Sequence, residues 1–137
     1  MKLSVKIEYS CRVLAQMARL FDLGEMAHIE SLSQDEGIPA NYLAQILAEL
    51  RNAGLITSKR GKKGGYSLSR NPKDISMRDV IEAIDGEVLT FTRNGAGFSA
   101  TKVEGAFQQL KDNFEKSAEE ITLDQLLPAE DPGMYYI

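Results

Sequence analysis

Six cations, Lys59, Arg60, Lys62, Lys63, Arg70 and Lys73, follow one another along the chain with no acid among them. The densest part reads Lys59-Arg60-Gly61-Lys62-Lys63-Gly64-Gly65. Clustered Lys and Arg neutralise phosphates. Glycines among them permit positive φ and let the backbone come close to another molecule. The order is not Gly-x-x-x-x-Gly-Lys-Ser/Thr, so this is no nucleotide phosphate loop. A basic run alone is most often a solvated loop, and its surroundings must decide. A second polar set precedes it: Asn41, Ala44, Gln45, Ala48 and Asn52 recur at helical spacing. Asn and Gln side chains can bond base edges, adenine most naturally, and the alanines let a helix sit close.

Other chemistries are poorly supplied. One histidine, His28, and one cysteine, Cys11, allow no Ser/His/Asp or Cys/His catalytic set, and they argue against a dedicated zinc site. The carboxylate pair Glu119-Glu120 falls on a solvated helix end. Cys11 lies on an apolar stripe, where a buried, inert thiol is the usual case. His28 reads as a surface or capping residue. No enzyme, no metal and no cofactor is expected.

A length of 137 residues suits one domain, or a compact domain with an appended element. With 43% hydrophobic and 26% charged residues the composition is that of an ordinary globular protein. No Trp and an aromatic share of 7% argue against an aromatic carbohydrate or base-stacking surface. The chain lacks an apolar run of the ~18 residues that span a bilayer. Its start, with Glu8 inside an amphipathic pattern, does not read as a signal peptide. A cytoplasmic location is the expectation. The net charge of −4 hides an asymmetry: residues 1–73 hold 11 Lys/Arg and 7 Asp/Glu, whereas residues 74–137 hold 5 and 13. A basic contact surface is thus joined to an acidic body.

The elements that position these residues follow from periodicity. Ile7, Cys11, Leu14, Ala18 and Phe21 share one face of a helix over about 3–22, and Val13, Met17 and Leu20 add a second stripe. Such a helix should be covered on two sides, one of them by its own domain and the other by a second subunit. A short helix, 29–36, ends at Gly37-Ile38-Pro39. A second begins near Pro39, buries Leu43, Ile46, Leu47 and Leu50, and stops at Gly54. Short helix, tight turn and polar-faced helix form a helix-turn-helix pattern. Residues 55–58 and 66–69 read as two strands flanking the basic glycine tip. A β-hairpin there is a wing. Ser76 and Asp79 form an approximate capping box for a helix carrying Met77, Val80, Ile81 and Ile84. Residues 87–101 are a linker centred on Asn94-Gly95-Ala96-Gly97. A long helix, 101–120, then carries Val103, Phe107, Leu110, Phe114 and Ala118 on one side, with spacing suited to a helix lying along it. Thr122 with Gln125 caps a last short helix closed by Pro128, and Tyr135, Tyr136 and Ile137 could dock from the tail.

Three segments together carry a resemblance. They are Lys6-Ile7-Glu8-Tyr9-Ser10, the stretch from Gly37 to Leu47 with its Tyr42-Leu43-Ala44-Gln45-Ile46-Leu47, and Leu50 to Ile56 running into Arg60-Gly61-Lys62-Lys63-Gly64-Gly65-Tyr66. The chain resembles the Rrf-type bacterial winged-helix regulators that include IscR, NsrR and CymR. The resemblance covers nearly its whole length.

The resemblance implies a mainly α fold with a small β-hairpin wing: a winged helix-turn-helix domain over 1–86, a linker over 87–100, a dimerisation helix and short terminal helix over 101–128, and a tail over 129–137. It implies a homodimeric transcription regulator, read as a repressor, bound to an imperfect palindrome in double-stranded DNA. Asn41, Tyr42 and Gln45 then fall at the groove-facing start of the recognition helix, and Lys59, Arg60, Lys62 and Lys63 on the wing. Val103, Phe107, Leu110 and Phe114 fall on the dimer interface. Tyr42 suits packing at the helix start as well as a phosphate contact, and Arg51 reads as a surface ion pair.

Sensors of this family hold an iron–sulfur cluster on three cysteines before the long helix. Here Glu87 to Thr101 contains none. A cluster-less member is expected, with Glu8 a surface acid, and with its signal coming from a protein or small-molecule effector if it has one. The alternative is a winged-helix module that binds an acidic protein partner. It requires apolar anchors on the recognition face.

Overall fold

The structure, a computed structural model, describes residues 2–127. Pro128 and the tail residues Tyr135, Tyr136 and Ile137 lie outside that range. Helix α1, Val5–Leu23, starts at Ser4, whose hydroxyl accepts the Ile7 N–H, and ends at Gly24 in the left-handed region. Within the chain, α1 packs against helix α2 (Ile29–Glu36), strand β2 (Gly65–Leu68), helix α4 (Met77–Asp85) and a 3-10 turn, Leu123–Leu126. Both expected stripes converge there, with Val13, Leu14, Met17 and Ala18 buried and Cys11, Leu20 and Phe21 partly so. Part of the expected second cover is supplied within the chain, where the C-terminal turn folds back onto α1.

Helix α3, Ala40–Asn52, follows the tight turn at Gly37, where φ is +66°. Leu43, Ile46, Leu47 and Leu50 are fully buried, as their spacing predicts. The chain passes Gly54 (φ +81°) into β1, Ile56–Lys59, which pairs antiparallel with β2 in the register Ile56↔Leu68 to Lys59↔Gly65. The capping box at α4 is complete: the Ser76 hydroxyl accepts the Asp79 N–H, and Asp79 accepts the Ser76 N–H. No regular element interrupts 86–99. Helix α5, Ala100–Glu120, then returns along α4.

The end of α5 differs from expectation. Thr122 makes no cap for the following turn, which is a single 3-10 turn; its hydroxyl donates instead to Asp124, and Gln125 donates to it over 3.1 Å. What fixes this segment is backbone pairing. The Met77 N–H donates to the Ile121 carbonyl (2.8 Å) and the Leu123 N–H to the Ile75 carbonyl (3.0 Å), while Leu123 enters the core with α1. Segment 101–127 is thus tied back to the body at its far end.

Candidate nucleic-acid interface

The outer face of α3 is held at a set angle by aromatic and cationic packing beneath its first turn. Tyr42 is half-buried and meets Tyr9 of α1 edge-on, with ring centroids 5.8 Å apart. Arg12 lies over the Tyr9 ring at 4.8 Å, pairs with Glu8 at 2.8 Å, and donates to the Glu36 carbonyl at 2.7 Å. A cation at that carbonyl complements the negative end of α2. Glu8 is thereby a paired surface acid, as expected. The packing reading of Tyr42 is realised, at the start of α3 beside exposed Asn41. Asn41, Ala44 and Gln45 are exposed and Ala48 is half-buried, so the outer face is polar and small.

The wing is built for close approach. A Cβ on Gly64 would stand 2.1 Å from the Lys59 carbonyl oxygen and 2.8 Å from the Arg60 carbonyl carbon, so only glycine closes this turn. Gly65 has φ +139°, and a Cβ there would meet the Ala27 oxygen at 2.5 Å. That contact reflects a pairing invisible in the hydropathy pattern. Ala27, in the α1–α2 connection, and Tyr66 of β2 exchange both backbone hydrogen bonds at 2.8 Å. The break after Gly24 hints at an extended segment, but nothing local names its partner.

Charge pairing sets the cations of the wing apart from those that brace the helices. Lys6, Arg12, Arg70, Arg78 and Lys111 all form ion pairs. Lys59, Arg60, Lys62 and Lys63 are exposed and have no carboxylate partner among the described residues. The basic run is therefore not one surface. Arg70 turns away to Asp79 at 3.2 Å and to the Asp74 carbonyl at 2.9 Å, bracing α4. Arg51 also differs from the expected ion pair: among the described residues it has no acid, and its Nη1 donates to Ser58 Oγ at 3.4 Å.

On the opposite half, α5 exposes apolar side chains. Phe107 is 42% and Leu110 59% accessible, Val103 is also exposed, and Phe114 is half-buried. Phe98 projects fully from the linker, and Phe91 packs edge-on to Phe107 at 5.6 Å. A cavity of about 400 Å³ lies between linker and helix, lined by Thr92, Asn94, Val103, Glu104 and Phe107.

This geometry can be set beside known proteins. Residues 3–129 match the Rrf2 family, described as iron-dependent transcriptional regulators. The chain belongs to this family. Among solved Rrf2-type structures, CymR, the global cysteine regulator of Bacillus subtilis, superposes with a TM-score of 0.81 at 26% identity, over 96% of this chain and 99% of that one. IscR of T. potens gives 0.76 at 32% identity, over 99% and 97%. An HTH-type transcriptional regulator of Mycobacterium tuberculosis is 37% identical over 97 residues, 71% of this chain. The chain spans about 60% of that relative's length. The winged helix-turn-helix architecture inferred from the pattern is thus the architecture of the family.

The iron in the family's description does not suit the donors present. Iron–sulfur clusters are held by thiolates, and the segment from Glu87 to Thr101 has no cysteine. Burial, reinforced by the Glu8 charge, pushes the Cys11 thiol up to about 11, so it stays protonated. Its hydrogen points at Met77 Sδ, 3.8 Å away. Among the described residues no three His, Cys, Asp or Glu side chains gather as a metal site. His28 stands at the start of α2, exposed and without a capping hydrogen bond. Nor is any helix among the described residues long and apolar enough to cross a membrane.

Proposed function

We propose that this Rrf2-family chain is a homodimeric, sequence-specific DNA-binding transcription regulator that represses from an imperfect palindrome. The observation that carries this reading is the clustering of Lys59, Arg60, Lys62 and Lys63, all exposed and without a carboxylate partner among the described residues, beside a polar α3 face. Each protomer places the start of α3 in the major groove, where Asn41 and Gln45 bond base edges and Tyr42 reaches a phosphate. Arg60 enters the adjacent minor groove, and Lys59, Lys62 and Lys63 neutralise phosphates. The apolar side chains of α5, Val103, Phe107, Leu110 and Phe114, pair with those of a second copy, and the resulting two-fold axis accounts for the palindrome. With no cysteine in the linker, regulation rests on a protein or on a small molecule at the linker cavity rather than on a cluster.

An acidic protein partner fits less well. Large exposed apolar side chains in the described residues are Leu3, Val5, Leu23, Phe98, Val103, Phe107, Leu110 and Ile121, and none lies on α3 or the wing. A protein interface needs such anchors near its centre.

The test is fluorescence anisotropy of the full chain with its own promoter duplex and with random duplex, across a salt series. Preference for the promoter supports the reading, and Gln45→Ala should then cost about 1–3 kcal/mol on the promoter and little on random DNA. No binding to either duplex at low salt overturns it. Transcription from that promoter in vitro should fall when the protein is added; a rise would make it an activator.

A further inference from the structure

The two parts of the candidate interface, α3 and the wing, are linked by a side-chain bond from a cation, Arg51. Arg51 sits in the last turn of α3, on the rim of the outer face that carries Ala44 and Ala48, since residues 44, 48 and 51 follow the i, i+4, i+7 spacing of one helix side. The other rim is already neutralised: Glu49 pairs with Lys6 of α1 at 2.6 Å. Arg51 instead leans toward the wing, donating from Nη1 to Ser58 Oγ of β1 at 3.4 Å. It is exposed and has no carboxylate partner among the described residues. A guanidinium carries five N–H donors in a planar fork, so the single bond to Ser58 orients the group and leaves most of it free.

In B-form DNA the wide major groove and the narrow minor groove are separated by one sugar–phosphate strand. A recognition helix in the first and a wing in the second must straddle that strand. We propose that Arg51 is the residue that grips it, a phosphate clamp between helix and wing, with Ser58 holding the guanidinium in place. The fork geometry suits two parallel bonds to one phosphate, a recognition that lysine cannot copy. Arg51 touches no base in this arrangement. It sets how far α3 and the wing advance together, so its contribution is the same for every sequence.

The inference rests on the DNA-binding reading above, and the experiment separates the two. Full-length wild type, Arg51→Ala, Arg51→Lys and Ser58→Ala are titrated by anisotropy against promoter and random duplex between low and physiological salt, with circular dichroism confirming the fold. Arg51→Ala should weaken both duplexes by on the order of tenfold. It should also lower the slope of log K against log salt by about 0.9 per bound protomer. Arg51→Lys should restore the slope but not the full affinity, and Ser58→Ala should lose a smaller part of the affinity with the slope intact. If wild type binds and Arg51→Ala keeps its slope, the clamp is refuted while the DNA reading stands. A loss confined to the promoter would make Arg51 a base reader and refute the clamp equally. If wild type binds neither duplex at low salt, both inferences fall together.

Discussion

The wing and helix α5 are fastened to the body in the same way and face the outside in opposite ways. The wing is anchored by the exchange of two backbone hydrogen bonds between Tyr66 and Ala27. The far end of α5 is anchored by two more, Met77 to Ile121 and Leu123 to Ile75. Beyond these anchors the wing exposes four cations without acids near them, and α5 exposes Val103, Phe107 and Leu110. Charge and grease call for different partners. An exposed cation loses little by waiting in water and gains when it displaces counterions from a phosphate. An exposed apolar stripe is unfavourable until another apolar surface covers it. One projection suits a polyanion, the other a second copy of the chain. Arg78 of α4 and Lys111 of α5 do neither task. Arg78 binds Glu82, Glu115 and Glu119, and Lys111 lies between Glu87 and Glu115, tying linker, α4 and α5 together.

The sharpest way to break this contrast is to charge the apolar side. Phe107→Glu with Leu110→Glu places two carboxylates on the stripe at positions too exposed to disturb the monomer's core. Sedimentation should show the mass halved and promoter affinity largely lost. An unchanged mass would put the dimer contact elsewhere.

On the wing, shape and charge can be removed separately. Gly64→Ala forces a Cβ into the Lys59 carbonyl, and it should cost about 1–3 kcal/mol in stability, as overpacking does, while DNA affinity drops although every cation remains. Lys62→Ala with Lys63→Ala should leave stability within about 0.5 kcal/mol, as exposed substitutions do. The salt slope should fall by about 1.8 per protomer on any duplex. If the glycine variant binds normally, wing shape is dispensable; if the double lysine variant keeps its slope, the wing is not on the phosphates.

The smallest expected effect concerns Cys11. Burial, and then the Glu8 charge, push its folded pKa up to about 11, above the ordinary thiol value of 9.0. The folded state therefore holds the proton more tightly, and the associated stability is fully present below pH 9 and lost as pH rises toward about 11. Iodoacetamide should label native protein at pH 8 much more slowly than urea-unfolded protein. Equal rates would show an accessible thiolate and reopen a redox role.

Much of this was legible in one dimension. Leu43, Ile46, Leu47 and Leu50 declare the buried side of α3, and the side opposite them follows from helical geometry alone. Glycine and charge between two short alternating segments declare the wing. The Ser76–Asp79 box is likewise local, because its partners lie three residues apart. The Thr122–Gln125 pair has the same local look, yet the hydroxyl of Thr122 goes to Asp124 and backbone pairing with residues 75–77 holds the turn. A short segment takes its conformation from whatever long-range pairing satisfies its backbone.

Residue order suffices to show which faces are apolar, which loop is basic, where the main helices start and stop, and that the linker lacks thiolates. Those properties depend on residue type and on the 3.6- and 2-residue periods of the backbone. Tertiary structure alone decided that Ala27 fastens the wing and that Leu123 returns to cover α1. It also decided that Arg70 leaves the basic run for Asp79, whereas Arg51, with no acid in reach among the described residues, turns to Ser58. Each of these joins residues far apart in the chain, or chooses between partners that packing alone brings within reach, and no local period encodes that choice.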